Sequence, residues 1–166
     1  MLNIELFRRI KLLVCDFDGV FTDNSVIVDE NGKESVICSR SDSLGVEMLK
    51  KKGINVIVIS KERNNVVQSR CQKMGIPCFW GIDEKLSVMQ KEMKEYGLEP
   101  DEVCYLGNDI NDLECMRYVI GVAVGDANDQ AKEIARYVTK ANGGRGAVRE
   151  VADHILNSGR TLKESL

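Results

Sequence analysis

The segment "LLVCDFDGVFTD", residues 12–23, runs from an apolar stretch straight into acids. Leu12 to Cys15 read as a buried strand; Asp16 and Asp18 follow two apart, and Asp23 lies a turn further on. Carboxylates this close repel one another, so clustering them at the edge of a core costs stability unless a cation sits among them. The pattern predicts a strand that delivers acids to a cation site.

Similar runs recur along the chain. "KLLVC" (11–15), "INVIVIS" (54–60), "VCYLG" (103–107) and "IGVAV" (120–124) are nearly continuously apolar, as parallel strands covered on both faces are. Helical patterns separate them at 43–52, 64–74 and 84–96, and a glycine suited to a left-handed cap follows each. In the third, Leu86, Met89, Met93 and Tyr96 form a core-facing stripe. The stretch "SVIVDENGKESVICS" (25–39) differs: two short β-prone runs flank Asn31-Gly32, a hairpin signal. Strands alternating with crossover helices predict an α/β fold, a three-layer, Rossmann-like open parallel sheet with a β-hairpin insertion. One domain over 1–158 and a loose polar tail at 159–166 complete the expected organisation.

Composition narrows the function classes. The 166 residues carry 23 basic and 26 acidic side chains, a formal net charge of -3, which offers no basic footprint for nucleic acid. The run Lys50 to Lys52 ends a predicted helix, where it complements the helix dipole. No apolar run is long enough to span a membrane, and the first residues lack the order of a signal peptide. Six cysteines occur without a C-x-x-C pair and mostly within apolar runs, as small hydrophobes in a reduced, cytoplasmic chain would be.

In open parallel sheets, ligands bind outside the carboxyl ends of the strands. Asp16 and Asp18 follow the first strand, Ser60 ends the second, and "GNDIND" (107–112) ends the third with Asp109 and Asp112. Lys85 opens a helix after the short run "CFW". Each of these residues alone is weak: Asp-x-Asp is commonly a turn, Ser60 a cap and Lys85 a solvated surface residue. Together they suit phosphoryl transfer. Asp16 and Asp109, with a carbonyl near Asp18, are the oxygen donors Mg²⁺ takes. One carboxylate can attack phosphorus while a second moves the proton, and Ser60 and Lys85 can hold the phosphoryl oxygens.

"DFDGVFTD", Ser60, Lys85 and "GNDIND" resemble the four motifs of the haloacid dehalogenase superfamily of aspartate-nucleophile phosphatases. The likeness spans nearly the whole chain. It implies Asp16 as nucleophile, Asp18 as general acid/base, and Asp16, the Asp18 carbonyl and Asp109 as Mg²⁺ ligands. Ser60 and Lys85 would bind phosphate, with Asp112 supporting the lysine or the metal site from behind. Asn108 stands where many of these phosphatases have aspartate, which removes a charge beside the metal.

The subgroup follows from what is missing. Only the hairpin fills the first site at which larger members insert a cap domain, and 61–84 is too short for the second, so no cap is expected. "GGRGAVREVADHIL" (143–156) is similar to the C-terminal stretch of 3-deoxy-octulosonate 8-phosphate phosphatases. It is equally similar to nonulosonate 9-phosphate phosphatases and to the phosphatase-like domain of CMP-acylneuraminate synthetases. The resemblance implies a homotetramer built on hairpins, with a neighbour in place of the cap, and a small phosphorylated sugar acid as substrate.

Glu62, in "SKER", matches the nonulosonate type, where octulosonate phosphatases carry arginine. Arg70 and Lys73 also match basic positions of that type and could meet a substrate carboxylate across a subunit boundary; the alternative is a solvated helix face. The glycine loop around Arg145 reads either as an anion contact, with Arg145 on a carboxylate, or as a plain turn before a helix. His154, the only histidine, has no nucleophile partner and reads as structural. A sialic-type 9-phosphate is the expected substrate, with the octulosonate 8-phosphate and a non-catalytic oligomerisation module as alternatives. A phospho-accepting receiver domain fits poorly, because "VIVIS" ends in serine where a receiver needs aspartate.

Overall fold

A computed structural model describes residues 4–159, so the expected tail lies, from Arg160 on, outside the described residues. Strands β1 (Leu12–Cys15), β4 (Asn55–Ile59), β5 (Cys78–Phe79), β6 (Val103–Gly107), β7 (Ile120–Ala123) and β8 (Tyr137–Val138) form one parallel sheet in the order β5-β4-β1-β6-β7-β8. β1 is central and pairs with both β4 and β6, with all four of its residues buried. The chain builds outward from β1 on one side through β4 and β5, then crosses back to build the other through β6, β7 and β8. The winding therefore reverses beside β1, and a crevice opens at its carboxyl end.

Helices α1 (Ile4–Phe7), α2 (Arg40–Lys51), α3 (Val66–Met74) and α7 (Ala147–Ser158) pack on one another through the α2–α7, α1–α7 and α2–α3 contacts. Helices α4 (Lys85–Tyr96), α5 (Leu113–Tyr118) and α6 (Asp129–Ile134) form a second group. Right-handed crossovers put the two groups on opposite faces of the sheet, the three layers expected. Among the described residues there is no cap domain; between β1 and β4 lie only α2 and the antiparallel pair β2 (Ile27–Val28) and β3 (Glu34–Ser35). This hairpin leaves Ile27 60% and Ile37 60% exposed.

Several expectations are adjusted. α2 begins at Arg40, not at residue 43, because Ser39 caps it: its hydroxyl accepts from the Ser41 amide at 3.2 Å. α3 begins at Val66, where the Asn64 side chain accepts from the Val66 amide. Lys50 caps a different helix from its own, donating to the Met74 and Gly75 carbonyls at the end of α3. Met89 and Met93 are buried as the stripe requires, whereas Tyr96 ends α4 exposed. All six cysteines are free thiols. His154 stacks on Phe7 and faces the Tyr137 hydroxyl at 3.0 Å, a packing role. No helix among the described residues is long and apolar enough to cross a membrane.

Candidate active site

At the crevice, β1 ends by passing Asp16 into the gap between its neighbours, where the Asp16 amide extends the ladder to the Leu106 carbonyl at 3.0 Å. Asp16 is buried, and its Oδ1 accepts from the Phe17 amide at 2.7 Å and from Lys85 Nζ at 2.9 Å. Lys85, from the first turn of α4, is itself 4% exposed and donates equally to Asp112 Oδ1 at 2.9 Å. Asp112 is fully enclosed. Its Oδ1 also takes the Tyr105 hydroxyl at 2.6 Å, and its Oδ2 takes the amides of Asn108 and Asp109 at 2.9 and 3.2 Å. One carboxylate thus fixes both the lysine and the loop after β6. Gly107 makes this possible, since a Cβ there would meet Asp112 atoms at 2.6–2.8 Å.

Asn108 meets the other Asp16 oxygen. Its amide lies 3.2 Å from Asp16 Oδ2 and 3.1 Å from the Asp18 carbonyl. With its nitrogen inward, the orientation these partners favour, it donates to both. Gly19 turns at φ 78° beside it, and a Cβ there would strike the Asn108 amide. Asp109 lines the same pocket while its Oδ1 accepts from the Ile110 amide at 2.7 Å. Among the described residues no three His, Cys, Asp or Glu side chains form a closed metal cage. Carbonyl and carboxylate oxygens that leave positions for water are what Mg²⁺ prefers, and the Asp16 and Asp109 carboxylates with the Asp18 carbonyl fit it.

The pocket holds about 170 Å³ and is lined by Asp16, Asp18, Ser60, Glu62, Asn108 and Asp109, together with Asn24, Lys61 and Asn111. Ser60 is buried, its Oγ accepting from the Glu62 amide at 3.1 Å. Glu62 turns one oxygen onto the Arg63 and Asn64 amides.

One ammonium between two buried carboxylates leaves a surplus negative charge. Burial, reinforced by Asp112 and opposed by Lys85, pushes the Asp16 carboxyl up to about 7. Burial and the nearby Glu62 also raise Asp18. For Lys85, burial works downward, but Asp16 and Asp112 outweigh it and hold the ammonium charged above its ordinary range.

Three expected residues lie elsewhere. Arg70 donates to Ser43 Oγ at 2.6 Å and, with Lys73 and Arg40, lines a separate groove of about 420 Å³ between α2 and α3. Arg145 is exposed and pairs with Asp23 at 3.4 Å. The glycine loop does not offer free donors: Gly143 gives its amide to Asp126 and Gly144 to the Val20 carbonyl. The anion at the start of α7 is internal, the buried Asp42 accepting from the Arg149 amide at 2.9 Å. Among the described residues the loop's amides thus serve the turn itself, while Arg145 stands exposed beside Asp23.

Residues 82–151 match the family model described as haloacid dehalogenase-like hydrolase. Over 155 residues the chain is 35% identical to the 3-deoxy-D-manno-octulosonate 8-phosphate phosphatase of Yersinia pestis, covering 92% of this chain and 83% of that one. The chain is a haloacid dehalogenase-like hydrolase. As a phosphatase of this family it is also similar to the crystal structure of the Moraxella catarrhalis 3-deoxy-D-manno-octulosonate 8-phosphate phosphatase in complex with a magnesium ion, a phosphate ion and a KDO molecule. The TM-score is 0.90 at 32% identity, over 93% of this chain and 91% of that one. A further relative is N-acylneuraminate cytidylyltransferase A of Danio rerio, 36% identical over 151 residues; these cover 89% of this chain but 35% of that protein. In this hydrolase, sequence reasoning missed Tyr105, whose apolar setting hid the hydroxyl bond, and Asn24 and Asn111, which no periodicity marks.

Proposed function

We propose that the chain is a Mg²⁺-dependent phosphomonoester hydrolase acting on a phosphorylated 3-deoxy-2-ulosonic acid, with a nonulosonate 9-phosphate as its substrate. The observation that carries this reading is the Asp16–Lys85–Asp112 array, in which a buried ammonium holds one oxygen of Asp16 while the other faces Asn108 at the floor of the pocket. Asp16, the Asp18 carbonyl and Asp109 would hold Mg²⁺, with the Asn108 amide turned inward beside them; when bound, the ion neutralises charge on the phosphate and on Asp16.

Asp16 attacks phosphorus through the carboxylate oxygen not used as a metal donor while Asp18 protonates the leaving oxygen. The bond from phosphorus to the alcohol breaks, giving an aspartyl-phosphate on Asp16. Asp18, now ionised, takes a proton from water as water displaces the carboxylate and releases phosphate. The raised Asp18 pKa supports its first role, since it must arrive protonated. Ser60 and Lys85 hold the equatorial oxygens, where transition-state charge is spread.

Glu62 at the pocket supports the nonulosonate over the octulosonate ester. The exposed apolar hairpin supports a homotetramer in which neighbours shield each other's sites and bring Arg70 and Lys73 to a substrate carboxylate. A second reading, an oligomerisation module of an acylneuraminate-activating enzyme, is supported by the Danio rerio relative.

Phosphate release from both sugar-acid phosphates, with and without Mg²⁺, for wild type and Asp16→Asn, tests the proposal. Mg²⁺-dependent turnover lost in the variant is expected, faster on the 9-phosphate. A faster octulosonate reaction sinks the substrate assignment, and a stable, inactive tetramer favours the module.

A further inference from the structure

The pocket has a buried floor and an exposed mouth. Asp16, Ser60 and Asn108 form the floor, whereas Asn24, Lys61 and Asn111 are exposed around the opening. Among the described residues Asn24 is the only one other than glycine with a positive φ, at 69°. Asparagine tolerates this conformation better than most residues, commonly because its side chain bonds the local backbone.

Here other side chains do that work. Thr22 Oγ1 accepts from the Gly19 and Asn24 amides, each at 3.1 Å. Asp23 Oδ1 accepts from the Ser25 amide at 3.0 Å, and Arg145 holds the other Asp23 oxygen. The Asn24 side chain makes no hydrogen bond among the described residues. Glycine would make this turn with less strain, yet the chain keeps an amide, unengaged, at the mouth of the pocket.

We infer that Asn24 is a specificity-determining residue whose amide holds a hydroxyl of the leaving group close to the ester phosphate. The inference rests on the sugar-acid phosphatase reading above. An amide supplies both a donor and an acceptor, the pair a hydroxyl uses. Lys61, Glu62 and Asn111 extend the same chemistry, and among the described residues no apolar side chain lines the pocket. A polyhydroxylated leaving group finds partners there, whereas an aryl group would desolvate polar atoms without replacing their bonds.

Asn24→Gly tests this, because glycine accepts the positive φ without strain, and that relief offsets the extra freedom glycine gives the unfolded chain. Acetyl phosphate, which carries no hydroxyl, serves as the comparison substrate. The ratio of sugar-acid phosphate to acetyl phosphate kcat/KM should fall about tenfold, chiefly through KM, with Tm unchanged or raised. An unchanged ratio in an enzyme whose wild type hydrolyses the sugar acids overturns the role of Asn24 alone. A lowered Tm assigns the side chain to the turn and overturns it too. A wild type active on acetyl phosphate but on neither sugar acid removes the function proposed above, and the inference with it.

Discussion

Lys85 places its Nζ 2.9 Å from Asp16 Oδ1 with both side chains almost wholly buried. The same ammonium serves Asp112, so it is the only cation bonded to this enclosed pair of acids among the described residues. Replacing it with an apolar chain of similar length strands both carboxylates. Lys85→Met is expected to lose about 3 kcal/mol of stability at neutral pH and at least about a hundredfold in kcat. Urea unfolding and phosphate release measure the two losses; a variant as stable as wild type at pH 7 would show that the pair is not held by this lysine.

The surplus charge predicts a pH dependence. The folded-state pKa of Asp16 is raised from 3.8 to about 7, so its contribution to stability is full below the unfolded value and disappears as pH rises through the folded one. In EDTA the Tm should therefore fall between about pH 4 and pH 7. Saturating Mg²⁺ should flatten the slope, because the cation takes over the proton's role of neutralising Asp16. Identical slopes with and without Mg²⁺ would place the ion elsewhere.

Asn108 contacts Asp16 Oδ2 and the Asp18 carbonyl through a neutral amide. Asn108→Asp keeps the shape and adds a charge. Mg²⁺ affinity by titration calorimetry should rise roughly tenfold, while the metal-free protein should become less stable from added repulsion. An unchanged Kd would separate residue 108 from the metal.

Asp42 caps α7 from α2, across a long stretch of sequence, and burial raises its pKa against the pull of the Arg149, Gly146 and Val148 amides. Asp42→Ala removes the cap and should cost about 1–2 kcal/mol. Hydrogen exchange should quicken first at the N-terminal amides of α7. Uniform loss of protection across the sheet would instead indicate a core defect.

Local chemistry made much of this protein legible. Short apolar runs without alternation, set between glycine-ended helices, mark parallel strands covered on both faces, and the residues just after such strands lie at one edge of the sheet. Hence Asp16, Asp18, Ser60 and Asp109 could be assigned to one crevice from order alone. They line one pocket, with Lys85 bonded beneath it. The hairpin was equally plain from Asn31-Gly32, which sits in a turn closed by the Asp29 carboxylate.

What sequence could not decide depends on pairings between distant residues. Nothing in "GNDIND" says that Asn108 rather than Asp109 reaches the amide-to-carboxylate contact; backbone direction after Gly107, pinned by Asp112, decides it. Nothing in the glycine loop says that its donors are spent on Asp126 and Val20. Nothing in the order of residues says that Arg70 bonds Ser43 and Arg145 bonds Asp23, outside the pocket of their own chain. The sheet and the acids at its edge follow from the order of residues, because hydrophobic period and residue chemistry are local. Tertiary structure decided which oxygen faces which proton, because that rests on angles set by packing.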